Sequence, residues 1–427
     1  MNNPLNIDLK FKKRNTSNRP NQKKQKLTKD ERKGNRRQRQ ENRISELRKQ
    51  GVFNRVDWIT LVIFGVLLLC SLFVLSSASS KVIEEQPDYY INKQALFMVL
   101  GIVLMAVVAL IDYRRYREYA SKGYIAIIIL LVLVLIFGTG DGAKRWLFGF
   151  QPSELAKLVM IVVFASWLTN RRERLKEPKV VWQSMLFMAV PMALVFLEPD
   201  LGTSLVFLVI MLSMLFVAGA NRKVFYGFCL FLLAAIVLIY VSLYIYTDGF
   251  TKLLEEDIPF LPLRSYQLMR LAIFINPEMD PQNSGFHIIQ SMIAIGSGGL
   301  LGKGYGNGTQ VQSGFLPEHH TDFIFSVAGE EFGFLFCAFV LVLYLVFLIR
   351  LMRTAFIARD LFGSLIVTGI CSMIIFQVLV NAGMTMGIMP VTGVPLPFFS
   401  YGVTSLWVNM MAVGLVFSIS LRGKKQK

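Results

Sequence analysis

Ten runs of about 20 apolar residues, spaced by segments rich in Lys and Arg, restrict this chain more than any other feature. They lie at 58–79, 93–111, 123–138, 153–169, 181–198, 202–219, 224–246, 323–350, 361–382 and 401–421. In lipid every backbone N–H and C=O must find a partner inside the protein, so runs of this length predict membrane-crossing helices. Composition agrees. Only 17% of residues are charged and mean hydropathy is +0.51, whereas soluble domains carry about 25% charged residues. The expected fold is an all-α polytopic membrane protein with about ten transmembrane helices.

The net charge of +17 is unevenly placed. Residues 1–55 hold 18 Lys and Arg against five Asp and Glu, so +13 of the total sits there. This stretch is poor in apolar residues, which predicts a disordered basic tail that holds topology or meets anionic lipid. No nucleic-acid partner is expected, and no secretory signal, because the first apolar run follows some 55 residues. The loop 112–122 carries Arg114, Arg115, Arg117 and Lys122, and 170–179 carries Arg171, Arg172, Arg174, Lys176 and Lys179. Arg222 and Lys223, then Arg350, Arg353 and Arg359, then Arg422 to Lys427 complete the set. Ten spans with both termini cytoplasmic place all of these on one side. The domains follow as a tail (1–55), a ten-helix membrane domain (56–421) and a basic cytoplasmic C-terminus (422–427). Four Cys, at 70, 229, 337 and 371, are scattered singly in apolar segments and support neither disulfide nor zinc site.

The opposite, extracellular side receives one long loop, 247–322. It holds Arg264, Tyr266, Gln267, Arg270, Glu278, Asp280 and His287, a Gly-rich run from Gly296 to Gly308, and Pro317 to Asp322. Loops this long are functional or disordered, and this one is too rich in aromatic and aliphatic residues for disorder. The run Gly296–Gly304 superficially resembles a P-loop, but Ser297 replaces the first Gly and Gly304 stands where Ser or Thr should hold Mg²⁺, so nucleotide binding is rejected. With three His in the chain, a His-based metal site is not expected.

Other stretches on that side carry unusual residues. Lys144, Arg145 and Trp146 break the positive-inside trend, which suggests an anionic ligand or a local salt bridge. Pro152, Ser153 and Glu154 open a helix on which Glu154 and Lys157 share a face. Charges entering an apolar span are functional candidates, or else fix the helix at the interface. Glu198 and Asp200 flank Pro199 and could bind a cation, neutralise a base or act as acid and base; alternatively Asp200 N-caps the sixth span. The Pro- and Gly-rich segment from Asn381 to Tyr401 predicts irregular backbone, tolerated at membrane depth only where protein or a cavity buries it.

Taken together, GAKRWL, QPSELAK, EPDLGT, YQLMR, NPEMDP, PEHHTDFIFSVAGEEFGF and PVTGVPLPFFSYG, in this order over roughly residues 57–421, resemble the SEDS family (shape, elongation, division and sporulation). Gly285 to Ser291, AIGSGGLLGKG and Gly383 to Gly387 look like its RodA rather than its FtsW branch. The resemblance implies a GT-C-like membrane enzyme that polymerises lipid II into β-1,4 glycan strands during cell elongation, at the outer face of the plasma membrane. It implies a class B penicillin-binding protein and elongation-complex membrane proteins as partners, with lipid II and nascent glycan as ligands. It also implies that Asp280 is the essential loop carboxylate, the general base of an inverting transfer. Lys144, Arg145, Trp146, Glu154, Lys157, Tyr266, Gln267, Arg270, His320 and Ser400 are the substrate-binding candidates. Glu198 and Asp200 are candidates for a divalent cation (Mg or Mn), and no organic cofactor is expected. A flippase for the same precursor and a non-catalytic scaffold are the alternatives. Two residues depart from the family pattern: Val403 replaces a Gly after Tyr401-Gly402, and Phe336 stands where Gly commonly follows.

Overall fold

The structure, a computed structural model, describes residues 57–79, 88–140, 145–246, 265–277, 284–316 and 318–423. The expected basic tail lies outside these residues. In chain order the helices among them are α1 (Trp58–Ala78), α2 (Tyr89–Leu110), α3 (Tyr113–Glu118), α4 (Ala120–Phe137), α5 (Pro152–Asn170), α6 (Pro178–Leu197) and α7 (Leu201–Ala218). There follow α8 (Arg222–Tyr246), α9 (Ser265–Ile275), α10 (Ser284–Gly298), α11 (Thr309–Gln312), α12 (Ile324–Ile357), α13 (Leu361–Thr385) and α14 (Val403–Leu421). Each expected span is a helix within a few residues of its apolar run. Nine are long and apolar enough to cross a membrane, and the tenth, α8, is 25 residues long and coincides with the run at 224–246. The protein is an all-α polytopic membrane protein.

Local chemistry sets the helix ends. Asp57, Asp200 and Asp360 N-cap α1, α7 and α13, each accepting a backbone N–H three residues on. Pro152 and Pro178 open α5 and α6, where a missing N–H costs nothing. Burial then sorts the helices. The apolar stretches of α5, α13 and α14 are 72–78% buried, those of α2 and α4 only 22%, so the first three form the centre and the others the periphery.

The basic loops gather at one end of the bundle. There Arg350 pairs with Asp57 at 2.6 Å, Arg114 with Asp360 at 3.7 Å and Arg422 with Asp112 at 3.6 Å. Asn221 donates to the Lys176 carbonyl at 2.7 Å. At the opposite end the Pro-rich segment folds back into the protein as its composition requires. Its carbonyls at Val394, Pro397 and Phe399 accept from Asn381, Tyr344 and Ser71. Buried irregular backbone is thereby satisfied.

The stretch 247–322 differs from a plain loop, since α9, α10 and α11 lie within it. Helix α10 packs along α12, and Ser291 bonds both Ser326 and the Thr385 carbonyl at 2.7 Å. The Gly-rich run that mimics a P-loop has a structural task. Helix α12 breaks at Gly333 (φ 74°, ψ −174°). The carbonyls freed before the break, Glu330 and Glu331, accept from Lys303 N and Gly304 N at 3.0 and 2.9 Å. After it, Phe334 N and Leu335 N donate to Gly299 O and Leu300 O at 2.9 and 3.2 Å. The buried Glu330 carboxylate also holds Lys303 at 2.7 Å and bonds the first turn of α11 through Gln310 N at 2.9 Å. This run therefore repairs a broken membrane helix. Of the two departures, Val403 begins α14 outside the positive-φ residues, so no Gly is needed there. Phe336 meets Phe332 at a tilt with ring centroids 5.0 Å apart and packs against the core.

Candidate active site

Three helices start together at the end opposite the basic loops. Gln151, preceding α5, donates its side chain to the Asp200 carboxylate at the head of α7 at 3.2 Å. Its backbone N bonds Thr404 in the first turn of α14 at 3.3 Å. A helix N-terminus carries about half a positive charge; at α7 the Asp200 carboxylate already caps it, whereas α5 and α14 have no side-chain cap and favour an anion. Arg145 adds a full charge. Its guanidinium donates to the Glu198 carbonyl at 3.3 Å and to the Pro199 carbonyl, both neutral partners. The sequence alternatives for Arg145, an anionic ligand or a local salt bridge, thus resolve toward carbonyl contacts.

The carboxylates of the turn between α6 and α7 differ in use. Asp200 takes the N-cap alternative, accepting from Thr203 N at 3.0 Å and Thr203 Oγ1 at 2.9 Å. Glu198 is buried with no hydrogen-bond partner on either oxygen. Burial first, and the neighbouring Asp200 second, push its carboxyl up to about 8, against the pull of Arg145. Among the described residues no group of three or more His, Cys, Asp or Glu could hold a metal ion. Lys157 and Glu154 form a buried ion pair at 2.7 Å in the first turns of α5, and Glu154 Oε2 has no partner. The lysine charge is already met.

Next to this cluster lies a cavity of about 180 Å³, walled by Arg270 and Ile273 of α9, His287 and Ile288 of α10, Glu318, Asp322, Phe323 and Val391. The Pro-rich segment separates the two: Gly202 packs on Thr392 and Val394, while Gly393, at φ +72°, faces Asp322 and Arg270. A Cβ on Gly393 would sit 3.4 Å from Asp322 Oδ2 and 3.9 Å from Arg270 Nη1, so a side chain there would intrude between acid and base. Asp322 lines the cavity and is half-buried. Its carboxyl is pushed up to about 6 by burial and Glu318, opposed by Arg270 and Arg145, with Asp200 adding a smaller upward push. Burial holds His287 below the usual imidazole range. Asn381 fixes the wall, donating to the Asp322 and Val394 carbonyls, both at 2.9 Å. Asp322 was not singled out as a site residue from sequence; the available signal was an acid immediately before an apolar run.

The remaining candidates are placed as follows. Asp280 and Lys144 lie outside the described residues; the segment 278–283, which contains Asp280, joins the two helices that wall the cavity. Tyr266 and Gln267 fall on α9, about one turn before Arg270. Trp146 is 40% exposed beside an isolated bridge to Thr139. Ser400 is buried and accepts from Leu396 N at 2.9 Å. His320, its imidazole held below the usual range by burial, meets Tyr90 at a tilt with ring centroids 4.8 Å apart and accepts at its carbonyl from Tyr401 N at 3.0 Å.

The raised carboxyls set a pH dependence. Folding tightens proton binding at Asp322 and Glu198, so the folded state holds more protons than the unfolded one, and stability falls as pH rises. The loss runs from the ordinary carboxylate range up to about 6 for Asp322 and about 8 for Glu198. Asp322→Asn and Glu198→Gln should each flatten that fall in detergent melting curves recorded from about pH 5 to 9. Curves parallel to wild type would exclude these groups as its source.

Comparison with known proteins adds the following. The family described as a cell cycle protein, comprising FtsW, RodA and SpoVE, matches residues 54–425. The chain is 36% identical to the peptidoglycan glycosyltransferase RodA of Treponema pallidum (strain Nichols) over 429 residues, covering 86% of this chain and 98% of that one. It is 38% identical to the peptidoglycan glycosyltransferase MrdB of Escherichia coli (strain K12) over 374 residues, covering 86% and 94%. A chain from a solved peptidoglycan synthase complex superposes with a TM-score of 0.68 at 31% identity, over 85% of this chain and 97% of its own length. The rod shape determining protein RodA of Thermus thermophilus superposes at 0.59 with 28% identity, over 87% and 98%.

Proposed function

Because this chain belongs to the FtsW/RodA/SpoVE cell cycle protein family, we propose that it is a peptidoglycan glycosyltransferase that polymerises lipid II into β-1,4 glycan strands, in its RodA-like form during cell elongation. The observation that carries this reading is the meeting of three helix N-termini and the Arg145 guanidinium next to the Arg270–Asp322 cavity. An anion site beside a pocket of mixed polar and apolar lining suits a sugar linked to a pyrophosphate.

The transfer inverts the donor's anomeric carbon. Asp280 takes the proton of the acceptor 4-hydroxyl as its oxygen bonds to that carbon, and the bond to the pyrophosphate breaks with the electron pair leaving on oxygen. Charge on the leaving group is met by Arg145, by the N-termini of α5 and α14, and by Lys144. Lys157 contributes less, since Glu154 already compensates it. Arg270 stands opposite Asp322 at the cavity wall and orients the sugar end. Glu198, whose oxygens have no hydrogen-bond partner, is the residue that would hold a divalent cation. Such a cation would neutralise pyrophosphate charge.

The basic loops and both termini face the cytoplasm, and the site opens outside. A class B penicillin-binding protein is the partner that crosslinks the product, together with other membrane proteins of the elongation complex. The polar groups of the site cluster at one end of the bundle, as suits chemistry at a membrane surface. The test is incubation of the purified chain, with a transpeptidase partner unable to polymerise alone, on lipid II. Glycan strands are expected; precursor crossing a vesicle membrane without glycan would hand the case to the flippase.

A further inference from the structure

Six side chains meet beside the cavity in a way the transfer step does not use. The first turns of α2 supply Tyr89, Tyr90 and Lys93, the turn at 318–323 supplies His319 and His320, and Tyr401 precedes α14. Tyr90 lies 4.8 Å from His320, 4.9 Å from Tyr401 and 5.3 Å from Tyr89, centroid to centroid. All are partly exposed. The platform is rigid: Tyr401 N bonds His320 O at 3.0 Å, and Gln94 Nε2 bonds Ser400 O at 3.3 Å, which ties the three segments together. A rigid surface spends little entropy on binding. Lys93 is already engaged, bonded to the Tyr89 hydroxyl and 4.1 Å over its ring.

Resting on the function proposed above, we propose that this aromatic cluster is a binding platform for the nascent β-1,4-linked N-acetylamino sugar strand. The chemistry matches. A pyranose in such a strand shows a flat face of C–H groups, whose slightly positive hydrogens suit the negative face of an aromatic ring. Its rim of hydroxyl and amide groups suits tyrosine hydroxyls and imidazole nitrogens, and His320 Nδ1 is buried without a protein partner. Interfacial tyrosines that merely anchor a helix point outward to headgroups, whereas these rings converge from three segments onto one another. The platform is also continuous with the cavity, because the turn that carries His320 places Glu318 and Asp322 in the cavity wall. A strand leaving the transfer site meets these rings next.

Two measurements on the full chain test this. The first is the length of glycan made from lipid II, with the transpeptidase partner present, compared at matched lipid II consumption. Tyr90→Leu should shorten the strands and Tyr90→Phe, which keeps the ring, should not. The second is calorimetric titration of the detergent-purified chain with a β-1,4-linked N-acetylglucosamine hexamer. Loss of one stacking ring should weaken binding about three- to tenfold in Tyr90→Leu, with melting temperature checked against wild type and Tyr89→Leu as a second variant. Equal strand lengths, or equal hexamer affinity in both leucine variants, would overturn the platform. If wild type makes no glycan at all, the polymerase reading falls, and the hexamer titration still decides the platform by itself.

Discussion

Glycan synthesis from lipid II should fall by about 10²–10⁴-fold in Asp280→Ala, the range a positioned general base contributes. The acceptor hydroxyl is a poor nucleophile until its proton is taken, and a carboxylate held at the reacting centre takes it without a charged intermediate in water. Asp280→Asn, which keeps the shape and loses the basicity, should be as inactive. Both variants should still copurify with the transpeptidase, which separates lost chemistry from lost assembly. Activity close to wild type would move the base elsewhere. The strongest competitor is Asp322, on the cavity wall and with its carboxyl pushed up to about 6, followed by Glu198 and Asp200. The two are distinguishable by pH, since a base with a carboxyl near 6 gives a rate that drops on acidification well before one in the ordinary carboxylate range.

The largest expected effect on stability lies away from the site, at Gly333. A side chain there would meet Gly302 N at 2.3 Å and the Leu300 carbonyl carbon and oxygen at 2.7 Å, and φ is +74°. Backbone cannot step aside as a flexible side chain can. Gly333→Val should therefore separate the Gly-rich run from α12 and lose the four backbone hydrogen bonds that bridge the break, worth about 2–6 kcal/mol together. The backbone conformation, with ψ −174°, is one essentially only Gly adopts and adds about 1–3 kcal/mol. The readout is the melting temperature of the purified chain in detergent, with expression level as a second measure. A melting temperature within about 2 °C of wild type would show that the break is tolerant and that the repair contributes little.

The fold was legible because lipid makes it so. Apolar runs such as 361–382 and 401–421 become α13 and α14 within a few residues, as a backbone in hydrocarbon has no better way to satisfy its own polar groups. Within 247–322 the same reasoning falters. Residues Ser284–Gly298 form α10 although they include five polar side chains and three Gly, because packing on α12, not lipid, decides there. The break at Gly333 is hidden for a related reason: one glycine inside a long apolar run looks like any other until Gly299 to Gly304 is found supplying its missing bonds.

The candidate site divides in the same way. Sequence alone determined the multi-pass helical fold and the separation of basic loops from loops that carry unusual polar residues. Each of these depends on local composition or on the spacing of neighbours in the chain. Only the tertiary structure decided that Glu198 is buried with its oxygens unpartnered and that Asp322 shares a wall with Arg270. Those outcomes depend on what lies across the bundle: whether a charge finds a partner or is stripped of water is set by groups tens to hundreds of residues away, which no local pattern encodes.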